Sequence, residues 1–248
     1  MKIDLKFNQL PLFTLLCGGM GVLLRLWQYG TGLDGDGLLR VGHPAGILVL
    51  VLTAAVIGVL LWFTRGFVSG SKYSQQYPAS TLGAAGAFAG AAALLLTAMV
   101  ELVRRDASFA VLTGLLGIAA AAALAFTGLC RLKGLRPNLW FHTALCLYFV
   151  LRLISRYQTW SSNPQLHDYC FQLLATVSAM LFSYHRAALD LKSGKRRRTI
   201  LLGLLGSYFC CLSLVKSDAP LLYAGMAAWM ITNLGTLDFS AEVPAEES

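Results

Sequence analysis

Eight largely apolar stretches, each close to the length of a membrane crossing, run through this chain of 248 residues: roughly 11–29, 44–64, 80–103, 108–130, 138–157, 166–190, 199–215 and 219–236. A helix needs about 20 such residues to cross the hydrocarbon of a bilayer. Inside lipid only helices and closed barrels satisfy their own backbone. Composition points the same way. Hydrophobic residues make up 56% of the chain and charged residues 13%, against about 25% charged in a soluble domain. That balance excludes an ordinary water-exposed fold, and disorder as well, which needs low hydrophobicity and high charge. The expected fold is all-α, a polytopic transmembrane bundle of eight spans forming one domain over residues 1–248.

Proline marks the span starts independently. Pro11, Pro44, Pro78, Pro137, Pro164 and Pro220 fall at or just before six of them, where a ring without an N–H is tolerated. Lys2 and Lys6 before the run from Leu10 imitate a secretion signal. No small-x-small cleavage site follows, and Leu16 stands before Cys17 where a lipoprotein site wants a small residue. The run reads as an uncleaved first span.

The net charge of +8 is distributed as a topology signal, which argues against nucleic-acid binding. With the N-terminus inside, 13 Lys and Arg fall on the cytoplasmic side (2, 6, 65, 72, 131, 133, 136, 186, 192, 195, 196, 197, 198) and 5 outside (40, 104, 105, 156, 216). Basic loops stay in the cytoplasm, so both termini are expected there, with 238–248 an acidic tail. The Lys192–Arg198 loop reads chiefly as a topology determinant, with anionic lipid as its alternative partner.

The halves look like weak copies, about 10–136 and 137–237. Leu24–Tyr29 resembles Leu151–Tyr157, His43 and His167 open spans 2 and 6, and Leu102–Ala107 matches Leu214–Ala219. Four spans per half would give a 4+4 parallel repeat about an axis along the membrane normal. Small residues give helices in lipid their close contacts. Gly83, Gly86, Ala87, Gly90 and Ala91 in span 3, Gly114 and Gly117 in span 4, and Gly203, Gly206 and Ser207 in span 7 therefore predict close helix packing, with oligomer contacts as the alternative use.

Polar groups within a span mark candidate sites. In span 6, Asp168, Gln172, Thr176, Ala179, Ser183, Arg186 and Asp190 fall within a sector of about 80°. The stripe should face the bundle interior, as a helix–helix seam or a ligand wall. Arg25 and Arg152 hold equivalent places in the proposed repeat, each followed by an interfacial tyrosine. They either snorkel to the headgroups or form a guanidinium site for carboxylate or phosphate, with Glu101 and Asp168 as competing partners. The candidate substrate-binding residues are thus Arg25, Arg152, Asp168, Gln172, Thr176 and Ser183.

No catalytic, metal or cofactor motif stands out. HExxH, a P-loop, a dinucleotide-binding glycine pattern and a G-x-S-x-G elbow are all missing. Gly30–Gly37 has two aspartates of a calcium loop but not its closing glutamate. None of the six cysteines forms a CxxC pair. They read as small buried apolar residues.

The stretch from Arg25 to Pro44 and the region from Trp160-Ser-Ser-Asn-Pro164 to Arg198 resemble uncharacterised polytopic membrane proteins of Gram-positive anaerobic bacteria. The resemblance covers most of the chain. It implies a bacterial plasma membrane, and it carries no activity. Two functions are expected from the residues. One is a small-molecule permease or binding component, with a site lined by span 6 and an anionic or amphipathic ligand. The other is a non-catalytic membrane subunit, homo- or hetero-oligomeric, packing on partners through its small-residue faces.

Overall fold

The computed structural model describes residues 9–33, 39–40, 42–65, 79–104, 109–161, 169–190 and 196–237, with 159, 160 and 190 as backbone only. These form eight helices: α1 (Gln9–Thr31), α2 (Pro44–Thr64), α3 (Thr81–Arg104), α4 (Ala110–Lys133), α5 (Leu139–Trp160), α6 (Cys170–Asp190), α7 (Arg196–Leu212) and α8 (Pro220–Gly235). Each apolar run becomes one helix. Pro44 and Pro220 sit in the first turns of α2 and α8, where the missing N–H costs nothing. Asn138 caps α5 by accepting from the Trp140 N–H at 3.3 Å. Gly134 closes α4 at φ 64°, the left-handed cap that glycine enters without steric penalty.

Helices α1 to α5 have the length and apolar content to cross a membrane. Their outward faces carry Leu16, Leu23, Val51, Trp62, Leu96, Val103, Leu115 and Trp140, all exposed. Water would penalise such a surface and lipid would not. The protein is therefore a helical membrane protein. Helices α7 and α8 have 17 and 16 residues, or roughly 24–26 Å at 1.5 Å per residue. That is shorter than a hydrocarbon core of about 30 Å. Helix α6 is long enough at 21 residues but carries the polar stripe.

Helices α3 to α8 close into a ring, each packing on the next and α8 returning to α3, while the α1–α2 hairpin lies against α7. Small residues permit these contacts. A Cβ at Gly86 would run into Thr232 of α8, and one at Gly90 would meet Leu124 of α4 and Trp229 of α8. Gly114 and Gly117 admit Leu102 and Ala98 of α3; Gly203 and Gly206 admit Phe182 and Ser178 of α6. The small faces of α3, α4 and α7 are thus occupied within the chain. The pairings also set direction. Ring neighbours run antiparallel, and α1 runs parallel to α7, with Gly18 beside Cys211 and Gly21 beside Leu212. One end of the bundle, here the upper end, collects the last turns of α1, α3, α5 and α7 and the first turns of the others.

The ring interior is filled at mid-height. Leu94, Leu124, Tyr148, Phe182, Trp229 and Met230 are all buried, and Phe182 meets Trp229 edge-on at 5.1 Å. Buried hydroxyls satisfy themselves locally. Thr14, Thr53, Thr97, Thr127 and Ser207 each donate to the carbonyl four residues back, at 2.7–2.9 Å, which spares an apolar setting an unpaired donor. The halves share a helix count but not a neighbour pattern. In α5–α8 every helix packs on the next, whereas the α1–α2 and α3–α4 hairpins attach to α7 and α8.

Candidate functional site: a charged cavity at the upper end of the ring

Three elements bring four charges together. Glu101 lies in the last turn of α3, Arg152 and Arg156 lie one turn apart on α5, and Asp218 lies just before α8. Positions four apart share a helix face, so both guanidinium groups point at the α3–α8 seam. Arg152 Nη1 donates to Glu101 Oε1. Its Nη2 reaches Asp218 Oδ2 at 3.3 Å. Arg156 Nη2 donates to the same Glu101 oxygen at 3.2 Å, and its Nε contacts Asp218 Oδ2 at 2.9 Å. Each arginine therefore touches both carboxylates, and the four formal charges cancel. Cancellation matters in a low-dielectric setting, where an unpaired ion costs several kcal/mol and a well-bonded pair far less.

The cluster borders a cavity of about 260 Å³. Leu96, Val100, Ala110, Ala219 and Leu221 give it apolar walls, Thr97 and Thr113 add hydroxyls, and Arg104 stands at its edge. Both threonine hydroxyls are committed as donors to α3 and α4 carbonyls at 2.8–3.1 Å, so toward the cavity they can only accept. Glu101 Oε2 has no hydrogen-bond partner among the described residues although it is buried. A buried acceptor with open valence favours an added donor. An apolar wall beside a charged, hydrogen-bonding edge is the chemistry of an amphipathic ligand site.

The expected residues divide between this cavity and other places. Arg152 is fully within the cluster, buried at 2% exposure, which replaces the snorkelling alternative for it, and Glu101 is its partner as the sequence suggested. Arg25 is equally buried but stands elsewhere, bonded through Nη2 to the Tyr29 hydroxyl at 2.9 Å with its guanidinium 4.9 Å from the Phe171 ring. The two arginines share an end of the bundle and not a site. Gln172, Thr176 and Ser183 are all buried, so the α6 stripe faces inward. Thr176 and Ser183 donate to their own helix, to Gln172 O at 2.8 Å and Ala179 O at 3.0 Å. Gln172 Oε1 has no partner. None of the three lines the cavity. Asp168 lies outside the described residues. His43 contacts Thr31 at 3.3 Å and the edge of Trp27.

Arg156 and Asp218 did not emerge from the sequence as site residues. Both count there as loop charges outside the spans. The usable signal was the four-residue spacing from Arg152 to Arg156 at a helix end, opposite a carboxylate at the end of α3. Among the described residues no three His, Cys, Asp or Glu side chains converge as a metal site would require. Comparison with protein-family models, with curated proteins and with solved structures finds no match.

Proposed function

We propose that this protein is a small-molecule permease or binding component of a bacterial plasma membrane, and that its ligand occupies the upper-end cavity. The observation carrying this reading is a cavity of about 260 Å³ with apolar walls and a self-neutralised ion cluster at its edge, whose Arg152–Glu101 pair is buried. The ligand is small and amphipathic. Its apolar body lies against Leu96, Val100 and Leu221. Its polar end offers a donor to Glu101 Oε2 and an acceptor to the arginines. An anionic group alone suits the site less well, because both arginines already share their charge with carboxylates.

Eight crossings with both termini in the cytoplasm belong to the same reading. The short α7 and α8 fit it because α7 is enclosed by α1, α2, α6 and α8, so little of it needs to match the lipid. A common origin of the halves also belongs to it, with α1–α2 having moved apart from α3–α4. The small-residue faces of α3, α4 and α7 pack against helices of the same chain, which favours this reading over that of a subunit using them for partners.

The test is a thermal-shift series on protein in lipid nanodiscs. The probes are medium-chain alcohols, amines, carboxylates and zwitterions of matched tail length. Compounds combining a tail with both donor and acceptor should raise the unfolding midpoint, and the Glu101→Gln/Arg152→Gln double variant should abolish the effect. Equal shifts in both proteins, or none with any class, would overturn the proposal.

A further inference from the structure

We propose that Arg25, Tyr29, Phe171 and Lys216 form a second binding site, for a phosphate-type oxyanion, where the upper end of α1 meets the start of α6 and the α7–α8 turn. None of these four residues lines the cavity described above, so this site does not rest on the function assigned to that cavity.

Arg25 carries the argument. Its residue exposure is 3%. Nη2 is used by the Tyr29 hydroxyl, while Nε and Nη1 have no hydrogen-bond partner among the described residues. The guanidinium carbon lies 4.9 Å from the Phe171 ring centroid and 5.4 Å from that of Tyr29. The two rings hold the cation by their π-electrons, and among the described residues only the Tyr29 hydroxyl accepts from one of its N–H groups. Among the described residues no carboxylate pairs with it. A guanidinium withdrawn from water requires a compensating anion or acceptor, and a planar edge of N–H donors is the arrangement that oxyanions select.

A second cation arrives independently. Lys216 holds its ammonium 5.0 Å from the centroid of the same Tyr29 ring. It does so from a left-handed backbone position, φ 53°, which a lysine seldom adopts. Asp218, two residues on, is turned toward Arg152 and Arg156, so among the described residues it offers Lys216 no counter-charge. The result is one tyrosine flanked by a buried arginine and an exposed lysine, a local charge of +2 among the described residues at the level of the helix ends. The ion cluster of the cavity is neutral by contrast. An oxyanion at Tyr29 would answer both cations at once. It could be the phosphate of an anionic lipid headgroup or a free phosphate ion, and both present the same chemistry to the site.

Native mass spectrometry of the full chain released from a non-ionic detergent tests the site. One arm adds phosphatidylglycerol, one adds phosphatidylcholine and one adds inorganic phosphate. Retention of phosphatidylglycerol over phosphatidylcholine assigns the site to an anionic headgroup. Retention of phosphate alone assigns it to the free ion, and either result supports the site. The variant Arg25→Gln should weaken the retained species about 10-fold or more, as expected when a charge-assisted hydrogen bond is lost. Lys216→Gln, an exposed change that leaves the packing alone, should weaken it about five-fold and decides the matter if Arg25→Gln does not fold. No retention in any arm, or retention unchanged in Lys216→Gln, overturns the proposal.

Discussion

Arg152 of α5 donates to Glu101 of α3 with 2% of one side chain and 7% of the other exposed, an ionic contact almost wholly enclosed. It ties the α3–α4 hairpin to α5 at the same level as the cavity. Asp218 extends the tie to the turn before α8. All four charges thus depend on a partner from a different element, and the cavity keeps its shape only while those elements stay in register.

Breaking that pair from one side should cost more than removing it entirely. Arg152→Leu or Glu101→Leu alone leaves an ion with too few partners and should destabilise by about 3–5 kcal/mol. The double variant Glu101→Leu/Arg152→Leu should lose less than the sum of the two. Arg156 is 18% exposed, so Arg156→Gln should cost no more than about 1 kcal/mol. Denaturant unfolding in detergent micelles measures all four.

The close approach of α3 to α8 should tolerate no added atom at Gly86. Gly86→Ala places a methyl group against Thr232 and the Ala228 carbonyl, an overpacking worth about 1–3 kcal/mol. Gly58→Ala in α2 meets nothing within 4 Å and should be neutral or slightly stabilising through helix propensity. Parallel melting curves of the two variants separate crowding from any general effect of replacing glycine.

The helix count and most boundaries were legible in the sequence because length and hydropathy are one-dimensional properties. The 44–64 run is α2 to the residue, and the span 3 glycines lie on buried faces as their small size required. Glu101 was legible as one of two candidate partners of Arg152, both being charges at the outer ends of spans 3 and 5. The rest required three dimensions. Periodicity shows that the α6 stripe turns inward, but not whether the inside is filled, and Phe182 and Trp229 fill it. Arg156 and Asp218 were hidden because a charge in a loop normally costs nothing and signals nothing. Their role appears only when α8 returns to α3 and closes the ring. The separate fates of Arg25 and Arg152 were also out of reach, since equivalent positions in two halves need not have equivalent neighbours.

The α1–α2 hairpin should owe part of its attachment to one hydroxyl pair. Thr53 and Tyr208 meet at 3.0 Å in a buried setting. Tyr208→Phe keeps the ring and loses that bond, with an expected cost of about 0.6–1.5 kcal/mol. Limited proteolysis between α2 and α3 should become faster in this variant, while the unfolding midpoint of the ring changes little.

Sidedness has a direct assay. Single cysteines placed in a cysteine-free background at Lys195 and at Tyr157 should label from opposite faces in intact cells. Under the cytoplasmic placement of both termini, an impermeant maleimide reaches position 157 and not 195. Labelling of 195 from outside would reverse the topology, and labelling of both would remove the crossing between them.

A high-resolution density map of the protein extracted with its native lipids bears most directly on the ligand cavity. The account expects non-protein density between Leu96 and Leu221, with a polar end within hydrogen-bonding distance of Glu101 and Arg152. A cavity that is collapsed, or that holds only water while the four-charge cluster stays intact, would contradict it.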